Sequence, residues 1–380
     1  MSITDGGYHP SFPEPFHQNK MPKRIPQLDA VRGLAILVVV IHNSGTLPRL
    51  FANGWMGVDL FFVLSGFLIT GILIDSRQSE GYFKNFYVRR CLRIWPLYYS
   101  LLLFMFVLVP VLRPSEAHSI FERSTPWWSY PVFLQNFMVR IPTMATGALA
   151  VTWSLAVEEQ FYLVWPWVVR YCSPVQLRRI AIAVICLSPA LRLILSVHHV
   201  DTYPNTFCRL DGLMAGALLA LAIRAQDFVP SRFIRSAWIA LGIAAPSAFV
   251  AVALHASWIA FSFTALASTS FVYLAMFSSQ KSFQLVLTNR FLVYTGTISY
   301  GLYLLHKIPF DAAQGFHLDR HSLLVLPIAI LASYALAAVS WNLLERPFLR
   351  LKRFFEPRPL HPDVASPPVI VLAHEDVTAA

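Results

Sequence analysis

The sequence predicts an all-α membrane protein, a polytopic bundle of about ten transmembrane helices with both termini in the cytoplasm. Three observations carry that prediction. Residues of the AVILMFWYC set make up 56% of the 380 residues and charged residues only 13%, whereas a soluble globule carries about a quarter charged residues. Ten windows near 20 residues long are apolar without alternating polarity, and about 20 helical residues cross a hydrocarbon core of about 30 Å. The basic residues, finally, gather on one side of those windows. The same composition excludes disordered, collagen-like and coiled-coil chains.

In chain order the windows are 28–47, 57–75, 94–112, 152–171, 178–197, 207–224, 234–254, 257–277, 289–309 and 322–344. With the amino terminus inside, 22 of the 30 Lys and Arg residues fall on the cytoplasmic side, as the positive-inside rule requires. The net charge of +10 is therefore assigned to cytoplasmic loops and not to nucleic-acid binding. Residues 1–24 hold five charged side chains and no apolar run, which predicts a disordered tail and no secretory signal peptide. Residues 25–351 form one membrane domain, and 352–380 read as a flexible carboxy-terminal tail. No repeat of 20–50 residues is visible. Pro126-Trp127-Trp128 and Tyr130, in the 113–151 stretch, fit either an interfacial segment or an ordinary loop. Cys91, Cys172, Cys186 and Cys208 are far apart, so they read as packing residues, and no side-chain set has metal-ligand spacing.

Charged and titratable groups inside apolar windows are costly, so they mark function or partnership. The first window holds Asp29, Arg32 and His42. At 1.5 Å per residue His42 lies about 15 Å beyond Arg32, past the middle of the membrane. Imidazole exchanges a proton near neutrality, so His42 is the candidate base or nucleophile. The second window opens with Asp59; Ser65 and Gly66 there read as close-packing residues. Arg90 and Arg93 share a helix face and suit bidentate grip on phosphate. Glu158 and Glu159 lie about two turns into the fourth window, and only one of two adjacent helical residues can face a shared cavity. Arg209 and Asp211 open the sixth window as a candidate ion pair. His306, at the end of the ninth, is expected near the outer surface.

Seven segments in this order resemble the acyltransferase-3 family of integral membrane acyltransferases. They are LDAVRGLAILVVVIH at 28–42, GVDLFFVLSGFLIT at 57–70, RRCLRIWPLYY at 89–99, TWSLAVEEQFYLVWP at 152–166, RLDGLMAGALLA at 209–220, SYGLYLLH at 299–306 and LERPFLRL at 344–351. One departure is Val151, where many members carry a histidine. The resemblance implies transfer of an acyl group, commonly acetyl, from cytoplasmic acyl-CoA to a sugar hydroxyl, as in polysaccharide O-acetylation. It assigns the functional histidine to His42 and the Arg-x-x-Arg pair to Arg90 and Arg93, and it implies a bacterial inner (plasma) membrane. The expected partners are acyl-CoA, a carbohydrate or glycoconjugate acceptor and membrane lipid, with no bound cofactor, no metal and no nucleic acid. In this scheme Arg32, Arg90 and Arg93 meet the donor. Asp59, Glu158, Arg209, Asp211 and His306 face the acceptor, and Glu159 is the carboxylate expected to orient His42. The alternative class is a transporter or flippase for a glycolipid or export substrate, for which helices broken at the midplane would be the sign.

Overall fold

A computed structural model describes residues 25–45, 53–112, 125–138, 147–315, 324–356 and 358–359. The expected amino-terminal tail and most of the expected carboxy-terminal tail lie outside the described residues. Helices in order are α1 (Pro26–Ser44), α2 (Met56–Asp75), α3 (Tyr82–Leu112), α4 (Gln135–Met138), α5 (Thr152–Tyr171), α6 (Pro174–Val197) and α7 (Thr206–Ile223). They continue with α8 (Pro230–Ala253), α9 (Ser257–Phe277), α10 (Lys281–Leu287), α11 (Arg290–Thr297), α12 (Ser299–Leu305), α13 (Lys307–Gly315) and α14 (Val325–Phe355). The one sheet among the described residues is a two-residue antiparallel pair, Ser79–Glu80 with Arg358–Pro359.

Seven helices among the described residues are long and apolar enough to cross a membrane, namely α2, α3, α6, α7, α8, α9 and α14. Together with the outward apolar side chains this makes the chain an integral membrane protein. Three of the ten expected windows depart from the pattern. α1 carries Asp29, Arg32 and His42, and α5 carries Glu158, Glu159 and Arg170. The ninth window is no single helix: it is interrupted at Ile298 and again at His306, giving α11, α12 and α13. The expectation of one continuous span over 289–309 is corrected here. Those three segments surround the polar interior, where charge is tolerated because protein and not lipid surrounds it.

Position in the bundle follows from sequence locally. α1, α2 and α7 are central and buried on most faces, whereas α6, α8 and α14 turn Leu187, Ile194, Ile243, Ile328 and Leu331 outward. Gly66 of α2 and Gly216 of α7 sit where the two backbones meet: a Cβ at Gly66 would strike the Leu213 carbonyl, and one at Gly216 the Val63 carbonyl. Small residues let membrane helices approach this closely. Gly216→Ala is expected to cost about 1–3 kcal/mol through overpacking, read as a lowered melting temperature in detergent; an unchanged value would show that α2 and α7 can separate freely.

Helix ends and kinks have identifiable causes. Ser173 and Gln176 form a capping box on α6, and Asn205 and Asn289 cap α7 and α11, satisfying orphan N–H groups. Arg77 donates to the carbonyls of Arg170 (3.1 Å) and Cys172 (2.9 Å) at the end of α5, where the helix dipole favours a cation. Arg224 binds Asp75 through two 2.7 Å bonds. Proline explains two π-turns, because it donates no backbone hydrogen bond: Phe104–Leu108 precedes and spans towards Pro110 in α3, and Trp341–Glu345 precedes Pro347 in α14. The latter turn swings Glu345 into the bundle, where it accepts a 3.0 Å bond from Ser340. In the 113–151 stretch, Trp127 and Trp128 are exposed while Tyr130 is buried, its carbonyl accepting from the Tyr98 hydroxyl at 2.8 Å. Structure also runs past the expected boundary at 352, since residues to 355 complete α14.

Candidate active site

A cavity of about 190 Å³ opens between α1, α2, α3, α5, α12 and the end of α14. Its mouth is cationic. Arg32 comes from α1, Arg89, Arg90 and Arg93 from α3, and Arg346, Arg350, Lys352 and Arg353 from α14; Glu158 and Glu356 are the only carboxylates in the lining. Arg32 stays within 3.8 Å of Asp29 one turn away. Arg90 lies over the rings of Phe86 and Tyr162, at 5.9 and 5.7 Å from their centroids.

Deeper in, the polar groups are neutral hydroxyls around one carboxylate. Ser65 donates to Glu158 at 2.8 Å, Tyr162 donates to the other Glu158 oxygen at 2.9 Å, and the Tyr162 and Ser65 hydroxyls are 3.1 Å apart. Helical periodicity builds this ring, because Glu158 and Tyr162 are four residues apart on α5. At the far end the Ser154 and Tyr303 hydroxyls meet at 2.5 Å, and Phe61, Phe62 and Val58 close the wall.

The two adjacent glutamates separate as expected, but in the opposite sense. Glu158 faces the cavity, held by Ser65 and Tyr162. Glu159 turns about 100° away, towards the Trp95 indole, and is absent from the lining.

His42 is half-buried in the last turn of α1. It does not line the cavity. Its Cβ packs against Gly54, and Val58, which does line the cavity, follows Gly54 by one turn, about 6 Å. The next residue, Asn43, reaches His306 Nε2 at 3.1 Å. His306 is buried and not superficial: its Nδ1 lies 2.8 Å from the Tyr303 carbonyl and 3.1 Å from that of Leu302. With the Asn43 amide donating to Nε2, Nδ1–H donates to those carbonyls, so the ring closes the break between α12 and α13.

The expected Arg209–Asp211 pair is exchanged between helices. Arg209 binds Asp59 of α2 at 2.7 Å, and Asp211 binds Arg192 of α6 at 2.8 Å and Ser262 at 2.8 Å. Neighbours two apart on a helix point in different directions, so each finds its own partner. Arg209 stacks 3.9 Å from the Phe261 centroid and lies near Phe62, Trp153 and Tyr203. Burial pushes the Tyr203 phenol, in the turn before α7, up to about 12, so it stays a neutral stacking surface. Both ion pairs are almost fully buried, and neither borders the cavity.

The family model for an acyltransferase domain matches residues 25–342, which include α1, α2, α3, α5 and α12 of the cavity wall. The chain belongs to the acyltransferase-3 family. Among curated proteins, the peptidoglycan O-acetyltransferase OatA of Listeria monocytogenes is 27% identical over 358 residues, 86% of this chain and 56% of its own. A putative peptidoglycan O-acetyltransferase of Bacillus subtilis is 35% identical over 163 residues, 40% of this chain and 24% of its own. A putative O-acetyltransferase of Staphylococcus aureus is 27% identical over 361 residues, 88% of this chain and 58% of its own. The chain thus spans less than two thirds of the length of these relatives. No solved structure matches it. The family-model match ends at residue 342, whereas the family-like segment LERPFLRL at 344–351 lies just past it.

Several polar residues of the interior carry little or no signal in the sequence. Ser65 reads as packing because hydroxyls are common between helices, and only its contact with Glu158 distinguishes it. Tyr162 was within reach of the i, i+4 rule. So were Arg346, Arg350 and Arg353, whose spacing puts them on one helix face but which positive-inside counting absorbs. Arg192 has no local signal, since its partners Trp258, Cys208, Asp211 and Ser262 come from other helices.

Proposed function

We propose that this chain is an integral O-acyltransferase of a bacterial inner membrane, moving an acyl group, acetyl in the first instance, from acyl-CoA to a hydroxyl of a carbohydrate or glycoconjugate. The observation that carries this reading is the polarity of the cavity, with eight cations at one mouth and hydroxyls and aromatic rings around the single carboxylate of Glu158 beyond. A phosphorylated carrier suits the first and a thioester arm the second. Names of the relatives, peptidoglycan O-acetyltransferase among them, support a carbohydrate acceptor. The seven apolar helices, with α1, α5 and the α11–α13 segment crossing beside them, make ten spans and return both ends to the cytoplasm in agreement with the basic-residue bias.

In this reading His42 takes the proton from the acceptor hydroxyl as its oxygen attacks the thioester carbonyl. The C–S bond breaks, and the CoA thiolate leaves and is reprotonated. In the alternative, imidazole attacks first, an acyl-imidazole forms, and the acceptor then cleaves it. A burst of free CoA before acceptor is added distinguishes the second route from the first. Asp59, Arg209, Asp211 and His306 are assigned to holding the helices that frame the acceptor's approach.

The test uses the purified full chain in detergent with labelled acetyl-CoA and an acceptor panel that includes peptidoglycan fragments. Acylated product without a membrane gradient is expected. Arg90→Ala combined with Arg93→Ala is expected to raise the KM for acetyl-CoA about tenfold or more, because charge-assisted hydrogen bonds contribute about 1.5–3 kcal/mol each. An unchanged KM would make the pair topological only. The helix breaks at Ile298 and His306 favour one second reading, a flippase; lipid translocation in vesicles without acylation would select it.

A further inference from the structure

We propose that the end of α14 completes a polyphosphate site at the cavity mouth, with Arg346, Arg350, Lys352 and Arg353 facing Arg89, Arg90 and Arg93 of α3. The proposal rests on the reading of this cavity as the donor's and deepens it, giving the α14 cations a specific part in holding the phosphates. Two observations carry it. Lys352 stands among Arg32, Arg89, Arg90 and Arg93, and the whole lining sets eight cations against two carboxylates. Like charges converging in a partly desolvated cavity repel one another, so the arrangement is stable only with a multivalent anion or at a continuing cost. Secondly, Arg89 Nη1 and Arg90 Nε are buried without a hydrogen-bond partner, although buried guanidinium N–H groups are normally satisfied. Both lie on residues that line the cavity.

Geometry supports a built site and not a loose basic tail. Arg346, Arg350 and Arg353 recur at helical spacing on one face. The segment packs on α3, and Arg358–Pro359 pairs with Ser79–Glu80 just before α3, fastening the strand that follows α14 to the loop that leads into the arginines. Two arginines alone would balance one phosphate. The seven cations from α3 and α14 match a ligand with several phosphate groups, such as the 3′-phosphate and diphosphate of CoA or the pyrophosphate of a lipid carrier.

The test measures equilibrium binding of CoA, 3′-dephospho-CoA, pantetheine and inorganic pyrophosphate to the full chain in detergent at two salt concentrations. Arg350→Gln with Arg353→Gln removes two exposed side chains, so folding is expected to persist; Arg353→Gln alone is the milder companion. Arg178→Gln with Arg179→Gln removes the same charge from an exposed site elsewhere. The expected result is CoA binding weakened about tenfold or more by the α14 pair, with a shallower salt dependence, and pantetheine binding unchanged. The control pair should bind CoA as the parent does. Equal weakening by the control, or none by the α14 pair while Arg90→Gln still weakens binding, overturns the proposal and leaves the donor reading standing. Pyrophosphate binding that CoA does not compete keeps the phosphate site and removes acyl-CoA as its ligand. Binding of neither probe removes the site.

Discussion

His42→Ala is expected to lower acyl transfer about 10²- to 10⁴-fold, the usual contribution of a positioned acid–base group, with CoA affinity and membrane insertion retained. The separation of effects follows from position. The cations proposed to meet the donor sit at the cavity mouth, whereas His42 lies ten residues beyond Arg32 on the same helix, about 15 Å away. Removing the imidazole therefore leaves donor binding intact and touches only the step at the far end. That end is near: His42 packs on Gly54, one turn from Val58 in the cavity wall. Measurement of kcat and of CoA dissociation on the same preparation checks both halves. Glu158→Gln is the informative companion, because Glu158 is the carboxylate within the inner cavity and holds Ser65 and Tyr162. A fully active His42→Ala alongside an inactive, well-folded Glu158→Gln would move the base from α1 to α5.

Arg192→Leu is expected to be the most destabilising single exchange, at about 3–5 kcal/mol, the cost of breaking a buried ion pair on one side. Arg192 is fully buried and donates to the carbonyls of Trp258 and Cys208, to Ser262 and to Asp211. It thereby ties α6 to α7 and α9 at one point. Its loss leaves the Asp211 carboxylate uncompensated in a medium of low dielectric, with only Ser262 and the backbone N–H of Gly212 to bind it. Unfolding in detergent, followed by helix content or melting temperature, gives the value. Arg192→Leu with Asp211→Leu should recover much of the loss, since removing both charges restores an apolar match. A double variant as unstable as the single one would show that the carbonyl contacts, and not the charge, hold the helices.

Much of the architecture was legible because lipid imposes a simple rule. Segments of about 20 apolar residues without charge fold as helices wherever they fall, and the windows at 57–75, 257–277 and 322–344 correspond to α2, α9 and part of α14. Two candidate site residues stood out for the complementary reason, since Arg32 and Glu158 are charges inside apolar windows; Arg90 and Arg93 stood out by sharing a helix face. Pairing was not legible. Arg209 and Asp211 are close in sequence and bond to different helices, and Glu158 and Glu159 are adjacent yet enter different environments. The break at His306 was hidden as well, because SYGLYLLH is as apolar as an unbroken span and only Asn43 and two carbonyls make the interruption tolerable.

By itself the amino-acid sequence determined that this chain is a helical membrane protein of the acyltransferase-3 kind, because hydropathy, charge asymmetry and motif order are properties of the chain read in one dimension. Only the tertiary structure decided which charges share a space. It turned Glu158 inward and Glu159 aside, brought the end of α14 to the arginines of α3, and buried His306. Electrostatics and hydrogen bonding act over a few ångströms between atoms hundreds of residues apart, and packing alone sets those distances.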